Sequence, residues 1–173
     1  ESKENNHPKL METNIGVGLL GLGPVGAGVA KILQSADGRN PLVSKIEIIR
    51  IAVRDLKKQR DASISPKILT QDPLEVIEDA KVQVVIEVMG GIEPARTLIL
   101  KAISLGKSIV TANKAVIARH GEEIAQAAKA NGVYVLIEAA VGGGIPIIEP
   151  LKQSLGGNKI RKVSGIINGT TNY

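Results

Sequence analysis

Ile15-Gly16-Val17-Gly18-Leu19-Leu20 runs directly into Gly21-Leu22-Gly23-Pro24-Val25-Gly26, and Val25 to Leu33 continues with apolar residues at helical spacing. This order predicts a strand, a tight glycine turn and a helix. In such a turn the first glycine permits the bend, the second lets backbone amides approach a pyrophosphate, and the third lets helix and strand pack closely. The helix N-terminus adds unpaired N–H groups and a partial positive charge facing the phosphates. Three glycines at this spacing also suit a surface loop ahead of a helix. The strand before them and the helix after them favour dinucleotide binding.

Downstream, Ala36-Asp37-Gly38-Arg39-Asn40-Pro41 is expected to be a loop, and Ile46 to Val53 is rich in β-branched residues, as a buried parallel strand should be. At the end of a second strand in a βαβ unit, a carboxylate would bind the ribose 2′-hydroxyl of NAD and repel a 2′-phosphate. This chain has Arg54 near that position, with Lys57, Lys58 and Lys67 beyond, and Asp55 one residue later. The cations favour NADP over NAD. A solvated coat of charge on an exposed loop is the competing explanation.

Asp72-Pro73-Leu74-Glu75 has the N-cap, first-turn proline and carboxylate of a helix start, with the helix expected to end near Ala80. Val82 to Val88 is expected to be a central strand, leading to Met89-Gly90-Gly91 at the edge where open α/β sheets bind ligands. Gly90 and Gly91 are therefore candidates for backbone contact with a cofactor, or an ordinary turn. Pro94 to Leu105 is expected to be a helix and Ser108 to Thr111 a strand, followed by Ala112-Asn113-Lys114. Lys114 at this edge could stabilise charge developing on a substrate oxygen, although spacing alone equally describes an exposed lysine at a helix start. Gly121 to Ala130 is expected to be a helix capped by Asn131-Gly132, with His120 structural or exposed. Val133 to Ala140 is expected to be a strand containing Glu138, whose carboxylate would need a cation, a basic side chain or backbone donors. Gly142-Gly143-Gly144 could turn carbonyls toward a hard cation such as Na+, or form a hinge. A helix from Ile147 to Leu155 and a strand from Ile160 to Ile167 complete the pattern.

Composition narrows the function. At 173 residues the chain can bury one sizeable core. Two Tyr with no Phe or Trp deprive it of the stacking platforms of single-strand nucleic-acid binders. A net charge of +5, from 22 basic and 17 acidic residues, suits phosphates on a small ligand better than a nucleic acid. No cysteine is present, which removes thiolate metal sites and disulfides and fits a reducing compartment. No apolar run approaches a membrane span, so a cytoplasmic location and no membrane partner are expected. Residues 1–14 are polar, include His7-Pro8, and are expected to form a loose tail.

Together the blocks at 21–26, Glu87-Val88-Met89-Gly90-Gly91, Thr111-Ala112-Asn113-Lys114, 138–146 and Asn168-Gly169-Thr170-Thr171-Asn172-Tyr173 resemble the homoserine dehydrogenases. The resemblance implies a Rossmann-type, doubly wound, mostly parallel α/β domain over 15–149, with the beginning of an α+β substrate and dimerisation domain over 150–173. It implies NADPH- or NADH-dependent interconversion of aspartate 4-semialdehyde and homoserine, on the route to threonine, isoleucine and methionine. Gly21, Leu22, Gly23, Pro24, Val25 and Gly26 would hold the pyrophosphate, Arg54, Lys57 and Lys58 the 2′-phosphate, and Gly90 and Gly91 would lie beside the cofactor. Lys114 would sit near nicotinamide and substrate, and Gly169 and Thr170 would border the substrate. Glu138 with the carbonyls of Val141, Gly143 and Ile145 would form a structural sodium site. The family continues into a domain carrying a further catalytic lysine and acidic substrate ligands, and assembles as a homodimer or homotetramer. A chain ending at Tyr173 is thus expected to be a fragment that binds cofactor without full activity. The alternatives are a noncatalytic NADP-binding module or another small-substrate reductase on the same fold.

Overall fold

A computed structural model of the chain describes residues 14–35, 38–61 and 63–165. Six strands, β1 (Ile15–Leu20), β2 (Ile46–Ala52), β3 (Leu69–Thr70), β4 (Val84–Glu87), β5 (Ser108–Thr111) and β6 (Val135–Leu136), form one sheet. Its order is β3-β2-β1-β4-β5-β6, and every pairing is parallel. The order reverses between β1 and β4, and the crevice at that reversal is the ligand site of open α/β sheets. The fold is a Rossmann-type α/β sheet with helices on both faces.

Alternation along the strands decides which helix lies on which face. Val17 and Leu19 of β1 join Ile51 of β2 and Ala30 of α1 (Pro24–Gln34) in one apolar cluster. Leu20, Ala52 and Val85 point the other way, into a larger cluster with α2 (Pro73–Ile77), α3 (Ala95–Ser104) and α4 (Lys114–Asn131). Val76, Ile77, Ile99, Ile103, Ile109 and Ile124 are almost completely removed from water there. Burial on this scale contributes roughly 1.5–3 kcal/mol for each large aliphatic side chain.

Several helix ends follow the expected chemistry. Asp72 caps α2, its Oδ1 accepting from Leu74 N at 2.8 Å, with Pro73 in the first turn. Asn113 caps α4 by accepting from Val116 N at 3.2 Å, and Gly132 ends that helix with a left-handed φ of 65°. Capping by Asn113 starts α4 at Lys114 rather than at Gly121, so His120 lies inside the helix.

Other boundaries are corrected. The strand expected over Val133 to Ala140 is only Val135–Leu136, and Glu138 lies in a 3-10 turn, Glu138–Ala140. α2 stops at Ile77 rather than near Ala80, and the helix expected from Ile147 to Leu155 is α5 (Ile148–Lys152). Residues 160–165 have no regular structure, so the described part of the expected Ile160–Ile167 strand is absent. The tail through Thr13, and Gly169 and Thr170, fall outside the described residues.

Candidate functional site

The C-terminal ends of β1, β2 and β4 enclose a cleft of about 870 Å³. Its walls include Gly21, Leu22 and Gly23 from the glycine turn, Arg54 and Lys58 from the loop after β2, and Gly90 and Gly91 from the loop after β4. Two backbone bonds hold the turn in place. Gly21 N donates to the Ala52 carbonyl at 3.0 Å, and Val88 N donates to the Leu20 carbonyl at 3.0 Å.

The three glycines of the turn have separate roles. Gly21 adopts φ 104°, a region side chains rarely reach, with Val88 O only 3.0 Å from where a β-carbon would stand. A β-carbon on Gly23 would meet nothing within 4 Å, leaving that approach open to a ligand. Gly26 is buried, and its β-carbon would lie 2.4 Å from the Gly21 carbonyl oxygen, which makes it the glycine of close helix–strand packing. The N-cap Gly23 gives α1 no side-chain cap, and the first turn carries no acidic residue. No carboxylate in its own first turn therefore competes for the amides and dipole of this eleven-residue helix, which meets the cleft wall at Gly23. Pro24 and Val25 form that first turn and do not line the large cleft. Pro24 borders a smaller neighbouring hollow, shared with Lys31, Lys58 and Arg60.

The loop after β2 is shaped by its own side chains. Asp55 Oδ1 accepts from Lys57 N at 2.8 Å, so this carboxylate is engaged within its own turn. Arg60 donates to the carbonyls of Lys58, at 2.8 Å, and of Asp55, and Gln71 Nε2 donates to the Arg54 carbonyl at 2.9 Å. The result is a rim on which Arg54, Lys58 and Arg60 outnumber the carboxylates of Asp55 and Glu93 on the cleft wall. Lys57 is exposed and lines neither hollow.

Across the cleft, Gly90 and Gly91 adopt φ 75° and 76°. Lys114 is exposed at the head of α4 and is not part of the cleft wall. It follows Asn113, whose Nδ2 donates to the Gly91 carbonyl at 2.6 Å, so the two loops are joined one residue from the lysine. Beneath them lies fully buried Glu87, which accepts from Met89 N at 2.8 Å and from the Thr111 hydroxyl at 2.7 Å.

Glu138 lies apart from the cleft. Its Oε1 accepts from Ile147 N and from Ile148 N at 3.1 Å, and its Oε2 from Glu149 N at 2.8 Å. These amides, the Ile147 N–H foremost, hold its carboxyl below the ordinary glutamate range. The backbone thus supplies the partner this carboxylate requires, with two amides on Oε1 and one on Oε2. Among the described residues no cluster of three or more His, Cys, Asp or Glu side chains could hold a metal.

Comparison with known proteins decides among the users of this fold. The family model described as homoserine dehydrogenase, NAD binding domain, matches residues 21–138. The chain belongs to the homoserine dehydrogenase family. A second model, described as homoserine dehydrogenase, matches residues 146–173. The homoserine dehydrogenase of Synechocystis sp. is 59% identical over 157 residues, covering 91% of this chain and 36% of that protein. The Corynebacterium glutamicum enzyme is 44% identical over 161 residues, covering 92% and 36%. The crystal structure of a homoserine dehydrogenase from Thiobacillus denitrificans superposes with a TM-score of 0.79 at 46% identity, covering 92% of this chain and 37% of that one. The chain thus spans a little over a third of these relatives.

Of the residues that the sequence points to for the cofactor, Gly21, Leu22, Gly23, Arg54, Lys58, Gly90 and Gly91 line one cleft, and Pro24, Val25, Gly26, Lys57 and Lys114 do not. Arg60 and Gln71 escaped the sequence reading, since nothing in a loop sequence says that a guanidinium will fold back on its own carbonyls. The contacts of Glu87, Thr111 and Asn113 escaped it too, although both segments had been noted, because their pairing depends on β4 and β5 being neighbours.

Proposed function

We propose that this chain is the nucleotide-binding part of a homoserine dehydrogenase, holding NADPH in preference to NADH for the interconversion of aspartate 4-semialdehyde and homoserine. The observation that carries this reading is the uncapped, acid-free N-terminus of α1 opening on a switch-point cleft with a cationic rim. The α1 amides would bond the pyrophosphate. Arg54, with Lys58 and Lys57 beside it, would meet the 2′-phosphate, the cations outnumbering the neighbouring carboxylate of Asp55, whose Oδ1 is turned to Lys57 N. Gly90 and Gly91 would pass close to the nicotinamide end, where a side chain would obstruct approach. The bound nucleotide supplies the hydride. Lys114 would stabilise the negative charge growing on the substrate oxygen, and Gly169 and Thr170 would border the substrate. Residues from 150 onward would begin the substrate and dimerisation domain, in an enzyme working as a homodimer or homotetramer on the route to threonine, isoleucine and methionine. Glu138, through Oε2, with the carbonyls of Val141, Gly143 and Ile145, would hold a structural Na+.

The test is a titration with NADPH and NADH, with homoserine oxidation assayed in a protein completed to the length of its relatives. Tighter NADPH binding and homoserine-dependent turnover are expected. Lys114→Ala should lower kcat by about 100-fold or more with little change in NADPH affinity. An unaltered kcat would remove Lys114 from the chemistry.

A further inference from the structure

Glu87 ends β4, lies in register with Thr111 on β5, and has no exposed surface. No ion pair among the described residues includes it. Its three donors come from two segments, Met89 just after β4, and Thr111 and Asn113 at the end of β5 and the cap of α4. Met89 N lies at 2.8 Å and Asn113 Nδ2 at 3.4 Å from Oε1, and the Thr111 hydroxyl lies at 2.7 Å from Oε2.

The direction of each bond is fixed by the rest of the network. Thr111 Oγ1 accepts from Asn113 N at 3.0 Å, and its one proton goes to Glu87. Asn113 Oδ1 accepts from Val116 N, so its amide nitrogen must point to Glu87 and to the Gly91 carbonyl. Glu87 is therefore met only by donors. An apolar side chain would fill the same space without the cost of desolvating a carboxyl group. What the carboxylate adds is order. It joins the Met89–Gly91 segment to the Thr111–Lys114 segment at the sheet edge where cofactor and substrate would meet.

We propose that Glu87 is a positioning residue for hydride transfer, setting the placement of Lys114 relative to the Gly90-Gly91 backbone. This rests on the assignment of Lys114 under the proposed function. Glu87 is buried and does not line the cleft. It acts through Asn113 and Thr111, which fix the start of α4.

Glu87→Gln is the sharpest variant, because it keeps the shape and turns one acceptor into a donor. With the amide nitrogen at the Oε2 position the Thr111 hydroxyl loses its acceptor, and at the Oε1 position it opposes two N–H groups. A misplacement of about 1 Å near reacting groups lowers rate by about 100-fold. In the protein completed to the length of its relatives, Glu87→Gln should therefore lower kcat by about 10–100-fold and change KM for NADPH far less. Thr111→Val should do the same, and Thr111→Ser, which restores the hydroxyl, should return kcat toward the parent value. The double variant Glu87→Gln/Lys114→Ala should be no slower than Lys114→Ala alone, since both act on one group.

Parent-like kcat per folded molecule in Glu87→Gln and Thr111→Val would overturn the inference, as would a Thr111→Ser variant as slow as Thr111→Val, or additive losses in the double variant. A Lys114→Ala protein with unchanged kcat would overturn the lysine assignment and the inference with it. A slow Lys114→Ala protein beside a normal Glu87→Gln protein would overturn the inference alone.

Discussion

A single β-carbon separates the tasks of two glycines in the same turn. On Gly26 it would stand 2.4 Å from the Gly21 carbonyl oxygen, a backbone atom that cannot swing aside. Gly26→Ala should therefore cost about 1–3 kcal/mol in stability and displace the helix N-terminus, weakening NADPH binding as well. On Gly23 the β-carbon meets open space at φ −77°, so Gly23→Ala should leave the denaturant midpoint unchanged and weaken NADPH alone. Equal midpoints for the two variants would refute this division. Arg54 carries a separate expectation. If its guanidinium meets a 2′-phosphate, Arg54→Ala should reduce NADPH affinity by about 10–100-fold, the value of a charge-assisted bond. NADH affinity should be untouched; an equal loss for both nucleotides would reassign Arg54 to general phosphate attraction. The glycines were legible in the sequence because their spacing has one geometric meaning between a strand and a helix. Glu87 was not, because its side-chain partners, Thr111 and Asn113, lie 24 and 26 residues away.

At the scale of elements, Glu138 shows how local pattern misleads. Val133 to Ala140 has the apolar continuity of a buried strand, yet pairing ends at Leu136. Glu138 turns instead toward the N–H groups of Ile147, Ile148 and Glu149, the start of α5, which has no side-chain cap from its own N-cap residue. Backbone donors were one of three partners the sequence left open, and they are the ones present. The pH consequence follows from the lowered carboxyl pKa. Protons bind the unfolded chain more readily than the folded one, so the contribution is complete above the unfolded value of about 4.3 and is lost as pH falls through the lower folded value. Glu138→Gln should therefore lower Tm at neutral pH and converge with the parent in acid. A constant Tm difference across this range would contradict the account. The same pair tests the sodium site proposed for Glu138, since NaCl compared with KCl should then raise the Tm of the parent only. By contrast β3, at two residues, is too short for any periodicity to reveal, and it pairs by following the end of β2.

For the molecule as a whole, β-branched apolar runs interleaved with helical patterns around the glycine turn were enough to give the parallel α/β architecture, and the structure assigns each face to its helices. Val17 and Leu19 turn toward α1, while Leu20 and Ala52 turn toward α2, α3 and α4. The reversal of strand order has a consequence for how binding capacity arises. Gly21 sits between Ala52 of the first half of the sheet and Val88 of the second, so the nucleotide cleft straddles a seam between segments far apart in sequence. Closing such distant contacts is the slow part of folding. The glycine turn and its helix can form early and locally, but the opposite wall arrives only when β4 docks on β1. Nucleotide binding is in that sense a certificate of completed assembly, issued by the join that the chain makes across its longest sequence separation between neighbouring strands.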